Sequence, residues 1–454
     1  MRKKYGILSD DLTGAMDAGL GLIKKGIRVV VTFNWENMDQ AITEGADIII
    51  ADTESRNIEP IRAYSKVRDS VDFLMKRTDN IIYKKIDSTL RGNIGKELDA
   101  VLDTSGKKMI VMAPALPYNK RTTLYGIHYV DGKKLEETEL AKDPFAPVPC
   151  SYIPDIIRIQ SNREARIIGI SAVRKGKEEV QKQIKKAYDD GISLVVIDAV
   201  TEDDLAVIAD TVSDREDILA CGSAGLLEYI EWGGFNNTGC ENIERGKIGN
   251  SEYDNIRCKD NDNKDGIVLI IAGSPAEKSR QQLEYAKKLL ADNVGTVKLR
   301  EDMFNCSSNL QDEKKKLEEQ VEEILSAGKD LILEAPNERK EDLLRKYKGR
   351  QELLNRMSDN ILGMLSHLVS KVIRESNVKG LVLLGGDTAY RICTGLGSHA
   401  IEIVDEIDPY VPAGILLGGE CHGLKIVTKA GGFGVEETVV NAIEYIRGGL
   451  RQKE

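Results

Sequence analysis

Short apolar runs, each followed by a charged stretch with helical spacing, recur along most of the chain. This alternation restricts the fold more than any other feature. In the first half, residues 5–8, 29–33, 47–51, 81–83, 109–112, 167–170, 194–197 and 218–220 read as strands, and stretches such as 178–188 read as helices between them. Strands apolar on both faces, alternating with amphipathic helices, imply a mostly parallel sheet covered by helices. A second series starts at Ile267 and continues through 295–299, 330–334 and 380–384. Its stretch 313–325 places Leu317, Val321, Ile324 and Leu325 at helical spacing on a charged background, the pattern of a solvated amphipathic helix. Residues 233–264 are polar, rich in Asn, Gly and Asp, and aperiodic, as in a linker or long loop. At 454 residues the chain exceeds what one core usually serves. The expectation is an α/β protein of two domains, 1–232 and 265–454, each built on a mostly parallel sheet flanked by helices.

Charge and cysteine usage remove several function classes. The net charge of −10 comes with no dense basic run, which argues against a nucleic-acid partner. The apolar run after the basic N-terminus is broken by Asp10 and Asp11, so it is not a signal peptide, and no apolar stretch is long enough to cross a membrane. Seven cysteines form no C-x-x-C pair, which fits reduced thiols and a cytoplasmic location. None of the four histidines falls in a ligand pattern, so no protein metal site is assigned.

Ligands of such folds gather at the carboxyl ends of strands, and five clusters fall there. Asp10-Asp11-Leu12-Thr13-Gly14 offers two carboxylates and a hydroxyl where a helix starts; they can orient sugar hydroxyls or accept a proton, or simply cap the helix. Arg56, in Asp52-Thr53-Glu54-Ser55-Arg56, can fork to a carboxylate or stay structural. Lys85, Asp87, Ser88 and Arg91 crowd cations, an acid and a hydroxyl into one turn, a composition suited to a small hydroxylated anion. Ser274 ends the strand that opens the second half, in a Gly-Ser turn entering a helix, a common phosphate cradle. It is not a Walker loop, because Glu277 stands where the second glycine belongs. The last pair is Gly385-Gly386-Asp387-Thr388 and the loop around Gly431, glycine-rich segments whose N–H groups can form an anion nest. The Gly395-Leu396-Gly397-Ser398 pattern follows a helix-like stretch and is rejected as a dinucleotide site. Cys421-His422 has no second ligand pair, and Gly222-Ser223-Ala224-Gly225 reads as a turn entering a helix.

Taken together and in order, SDDLTGAMDA, DTESR, KKIDSTLRGNIGKEL, the long run 113–148, CGSAGL, AGSPAEKSRQQ, LLGGDTAYRI, PYVPAGILLGG and IVTKAGGFGVEET resemble the four-carbon acid sugar kinase family over nearly the whole chain. The resemblance implies an N-terminal acid-sugar-binding domain, a C-terminal nucleotide-binding domain and an active site in the cleft between them. It implies transfer of the γ-phosphate of ATP, with Mg2+, to the 4-hydroxyl of D-threonate, D-erythronate or 3-oxo-tetronate in carbohydrate acid catabolism. Carried over by motif, the substrate would meet Asp10, Asp11, Arg56, Lys85, Asp87, Ser88 and Arg91, with Asp11 or Asp10 as base. The nucleotide would meet Ser274, Gly385, Gly386, Asp387, Thr388 and Gly431, with Asp387 as second choice of base or as a magnesium ligand. The partners expected are a sugar acid and ATP, with a homo-oligomer left open. A non-catalytic sensor of the same ligands and an NAD-dependent dehydrogenase are the rival classes.

Overall fold

The computed structural model describes residues 3–36, 38–143, 146–213, 215–231, 266–274, 276–304, 310–336, 346 and 351–449. The chain divides into two compact units, Met1–Ile243 and Glu244–Glu454. The expected linker 233–264 lies outside the described residues.

Unit one contains β1 (Tyr5–Ser9), β2 (Val29–Thr32), β3 (Ile48–Asp52), β4 (Asn80–Lys85), β5 (Met109–Ala113), β6 (Arg121–Leu124), β7 (Ile127–Val130), β8 (Lys133–Lys134), β9 (Ala165–Ile168), β10 (Leu194–Ile197) and β11 (Ile218–Gly222). Eight of these pair in parallel in the order β2-β3-β1-β4-β11-β5-β10-β9. Their continuous apolar sequences are buried throughout β1, β2, β3 and β5, as expected of strands covered on both faces. The chain runs from β1 out to β2, returns to β3 and then crosses β1 to reach β4. Ser9 is thereby paired with Asp52 on one side and Lys85 on the other. The loops following β1, β3 and β4 become neighbours at the point where the strand order reverses.

Two features depart from the sequence reading. Residues 121–134 form a three-stranded antiparallel sheet, β6-β7-β8, that hydrophobic periodicity did not reveal. Its tight turn uses Tyr125 and Gly126, both at positive φ (55° and 71°), a two-residue hairpin geometry. The strand expected at 167–170 instead occupies Ala165–Ile168, and a short helix starts at Ile170. One buried acid accounts for both places. The Asp198 carboxylate accepts N–H bonds from Tyr125 (2.7 Å), Gly126 (2.9 Å) and Ile170 (3.1 Å).

Unit two contains β12 (Ile267–Ala272), β13 (Val294–Lys298), β14 (Asp330–Glu334), β15 (Val378–Leu384), β16 (Ala400–Asp408), β17 (Val411–Leu417) and β18 (Lys425–Lys429). Their order is β13-β14-β12-β15-β18-β17-β16, parallel as far as β18 and antiparallel beyond it. The antiparallel pair β16 and β17 was not anticipated; the sheet is still mostly parallel. Val268, Ile270, Val382 and Val427 form the core with Val439 and Ile443 of helix Thr438–Ile446. Ala272, Leu384 and Lys429 end adjacent strands in register, so the loops after β12, β15 and β18 emerge together.

Beneath the loops of unit one lies a fully buried ion pair. Lys84 Nζ of β4 stands 2.6 Å from Glu97 Oε2 of helix Ile94–Thr104. Ser55 Oγ donates to Glu97 Oε1 (2.7 Å), and Thr53 Oγ1 donates to the Ser9 carbonyl (2.7 Å). The ends of β1, β3 and β4 are thus tied to one helix. Removing one partner of such a pair leaves an uncompensated buried charge. Lys84→Met is therefore expected to lower the unfolding free energy by about 3–5 kcal/mol, measured by urea denaturation. The double variant Lys84→Met/Glu97→Leu should recover most of that loss.

Candidate functional site

In unit one the loop after β1 places Asp10 and Asp11 at the start of helix Leu12–Ile23. Asp11 caps that helix, its Oδ1 accepting from Gly14 N at 3.0 Å, so the structural role of one acid of the doublet is realised. Asp10 is buried and grips Arg56 with both oxygens, at 2.8 Å to Nε and 3.1 Å to Nη2. Arg56 Nη2 also reaches Asp11 Oδ1 at 2.7 Å. Burial alone would raise the Asp10 carboxyl, but the charges of Arg56, Lys84 and Lys85 hold it below the usual carboxylate range. Asp11 Oδ2 has no donor among the described residues and its side chain is partly exposed, so Asp11 is the accessible acid of the two.

The loop after β4 carries the second half of the cluster. Asp87 accepts from Arg91 Nε (2.7 Å) and Nη2 (3.2 Å) and from the Thr89 hydroxyl. Arg91 Nη1 extends to Asp143 Oδ2 at 3.1 Å. Burial pushes the Asp87 carboxyl up, yet the guanidinium charges of Arg91 and Arg56 and the hydrogen bonds from Arg91 and Thr89 hold it well below the usual range. Arg56 therefore links the two acidic groups electrostatically. Lys85 Nζ donates to the Ile86 carbonyl (3.3 Å). It lies so near Gly14 that a Cβ there would come within 2.9 Å of it, which is why a glycine opens that turn. Asn93 Nδ2 bonds the carbonyls of Ser55 and Ile58, each at 2.8 Å, and fastens this loop to the one after β3. All seven sequence-predicted residues of unit one thus fall at the carboxyl ends of β1, β3 and β4, Lys85 as the last residue of β4 and the other six on the loops that follow.

The hairpin adds groups that the sequence reading did not single out. Arg121 Nη1 donates to Ser88 Oγ. His128 Nε2 lies 2.9 Å from the Ser88 carbonyl and its Nδ1 lies 3.1 Å from Thr123 Oγ1. A carbonyl only accepts, so Nε2 carries the proton and Nδ1 accepts from the threonine hydroxyl. Burial lowers the imidazole's affinity for a second proton to about 4. These side chains enter the site only through hairpin register, which periodicity does not encode.

In unit two the three loops at the ends of β12, β15 and β18 bring together Ser274, Gly385–Thr388 and Gly431. Ser274 N and Gly273 N both donate to the Leu384 carbonyl, at 3.0 and 3.1 Å, and Gly385 N donates to the Lys429 carbonyl at 2.9 Å. Gly431 packs against Ser274: a Cβ there would stand 2.7 Å from Ser274 Oγ. Helix Gly386–Gly395 begins without a side-chain cap, which leaves first-turn N–H groups for an anion. Lys429, the last residue of β18, is turned inward. Its Nζ lies 2.9 Å from Ser279 Oγ, 2.9 Å from the Ala430 carbonyl, 3.2 Å from that of Gly431 and 3.3 Å from that of Phe433. Burial, with the charge of Lys278, brings this ammonium down to about 8. Lys429 shapes the glycine loop from within by holding three of its carbonyls. The rejected motifs have structural duties. Ser223 Oγ donates to the Ala115 carbonyl and accepts from Gly225 N, and Gly418 N donates to His422 Nδ1. No cluster of three or more metal-ligating side chains occurs among the described residues. No helix among them is long and apolar enough to cross a membrane.

Residues 5–230 match the family model described as a sugar-binding N-terminal domain, and residues 269–439 match the one described as a nucleotide-binding C-terminal domain. The chain is 31% identical to D-threonate kinase of Salmonella typhimurium over 97% of each protein. It is 26% identical to D-erythronate kinase of Heliobacterium modesticaldum, over 97% of this chain and 96% of that one. To 3-oxo-tetronate kinase of Pseudomonas savastanoi pv. phaseolicola it is 24% identical over 98% of each. A solved structure from Salmonella typhimurium superposes with a TM-score of 0.75 at 20% identity, covering 97% of this chain and 98% of that one. One from Haemophilus influenzae gives 0.69 at 23%, covering 98% and 100%, so the fold is shared with both.

The buried imidazole sets an acid limit on unit one. His128 is protonated near pH 6.5 when exposed but only near 4 when folded, so the unfolded chain takes up the proton first as pH falls. Its contribution is intact above about pH 6.5 and is lost between 6.5 and 4, by at most about 3 kcal/mol. The depressed carboxyls Asp10 and Asp87 add a loss that begins as pH falls through the usual carboxylate range and continues below it. Urea midpoints measured across that window should fall more steeply in the wild type than in His128→Gln.

Proposed function

The chain belongs to the four-carbon acid sugar kinase family, and from that membership we propose that it transfers the γ-phosphate of ATP to the 4-hydroxyl of D-threonate, D-erythronate or 3-oxo-tetronate. The observation that carries the reading is the whole-length identity to D-threonate kinase combined with two chemically distinct loop clusters. One is dense in charge and hydroxyls; the other is glycine-rich with an uncapped helix start.

In this reading the loops after β1, β3 and β4 bind the sugar acid through Asp10, Asp11, Arg56, Lys85, Asp87, Ser88 and Arg91. Phosphoryl transfer asks the protein mainly to position the reactants and neutralise charge. Asp11 takes precedence over Asp10 as base, since Asp10 is buried and held on both oxygens by Arg56 while Asp11 Oδ2 has no donor among the described residues. It accepts the proton of the reacting hydroxyl. The remaining residues hold the acid and keep that hydroxyl in place. Ser274, Gly385, Gly386, Asp387, Thr388 and Gly431 fit a nucleotide's phosphates, because the uncapped helix and the loop folded around Lys429 offer backbone donors. Magnesium, when bound with ATP, neutralises phosphate charge. It commonly needs only one or two protein carboxylates besides phosphate and water, and Asp387 is the one at hand.

Incubation with MgATP and the three acids should release ADP with at least one of them and none in their absence. Release of NADH from NAD, or ligand binding without turnover, would overturn the kinase reading. Asparagine caps helices as well as aspartate does, so Asp11→Asn tests the base without removing the cap. It should lower kcat roughly 100-fold or more with the KM of the acid little changed, as measured by steady-state ADP release.

A further inference from the structure

Charge pairing in the unit-one cluster singles out one of its arginines. Arg56 is matched by Asp10 and Asp11, Arg91 by Asp87 and Asp143, and Lys84 by Glu97. Arg121 has no carboxylate within ion-pair distance among the described residues. Its bond is to the neutral Ser88 hydroxyl, and its Nε is buried with no hydrogen-bond partner. A guanidinium stays charged in proteins, so a half-buried one without a counter-ion carries a desolvation cost that an arriving anion would relieve. The side chain is also held in place. Leu116 and Arg121 exchange backbone hydrogen bonds at 2.8 and 3.1 Å, and the hairpin is fastened to the Ser88 carbonyl through His128. Asp87, Arg91, Tyr118 and Asp17 are the charged or titratable groups that act on Arg121.

We propose that Arg121 binds the carboxylate of the sugar acid, with Arg56 and Arg91 serving to set the acidic side chains that read its hydroxyls. The assignment rests on the kinase reading and names the group that makes this site select an acid over the corresponding alcohol. Lys85, the other cation of the cluster without a carboxylate in ion-pair range among the described residues, supplies a second positive charge nearby. Arg121 is reached neither by the motif carry-over nor by periodicity.

The test compares full-length wild type, Arg121→Gln and Arg121→Lys by ADP release, measuring the KM of the preferred acid, the KM of MgATP and inhibition by the corresponding tetritol, which lacks the carboxylate. Arg121→Gln should raise the acid KM roughly 100-fold, the loss of a charge-assisted pair, with MgATP KM and tetritol inhibition each within about threefold of wild type. Arg121→Lys should fall between, keeping the charge and losing the fork. An acid KM within about threefold of wild type in Arg121→Gln, or equal losses for acid and tetritol, overturns the proposal. If Arg121→Gln does not fold, Arg121→Lys decides: an unchanged acid KM rejects the assignment, and a raised one with unchanged MgATP KM supports it. Wild type that releases ADP with no acid overturns the kinase reading instead. Calorimetric titration of the acids into the same variants then judges Arg121 alone, by whether binding is lost in Arg121→Gln.

Discussion

The buried pair of Lys84 and Glu97 is the interaction on which unit one's functional loops depend. Parallel strands deliver their loops to one edge of a sheet but do not fix where those loops point. Here one carboxylate does so, receiving Lys84 from β4 and Ser55 from the loop after β3, while Thr53 of the same loop reaches back to the end of β1. Burial disfavours the Lys84 ammonium, but Glu97 and Asp10 more than offset it and keep the proton on. The charge of Lys84 then helps hold Asp10 ionised, so the same cation acts on the packing below and on the acid above.

In the proposed function the two units handle anions by different means. Unit one uses formal charges, most of them already cancelled by a neighbour, so that the cluster is ordered without ligand. Unit two relies on main chain. Its lysine is enclosed by carbonyls and a serine hydroxyl, and helix Gly386–Gly395 starts without a side-chain cap. Side-chain charges can discriminate among small acids by position, whereas backbone donors suit a phosphate chain whose oxygens are alike.

Much of this was legible in the sequence, and what was missed shares a cause. The β1, β3 and β4 runs and the motifs after them were readable because apolar strands and their carboxyl-end loops are local patterns. The Asp10-Asp11 doublet was read as a cap or as chemistry, and the structure shows Asp11 as the cap, which leaves Asp10 outside that role. Lys84 and Lys85 could not be told apart, because successive strand residues face opposite ways and the partner of Lys84 comes from a later helix. Arg121 and His128 were invisible as site residues because their places depend on hairpin register and on Asp198, far along the chain. The inward turn of Lys429 was not legible either, because it depends on the path of the loop around it.

The place of β11 in unit one bears on how the chain is made. It is the last strand of that unit in sequence, yet it lies between β4 and β5. Until Ile218–Gly222 emerges from the ribosome, β2-β3-β1-β4 and β5-β10-β9 are separate half-sheets, each with an unpaired edge of apolar residues. Joining them requires contacts between residues more than a hundred positions apart, which slows folding and prolongs exposure of those edges. A nascent or truncated chain ending before β11 would thus present two ready templates for aggregation, and its exposed edges make it a natural client for chaperones.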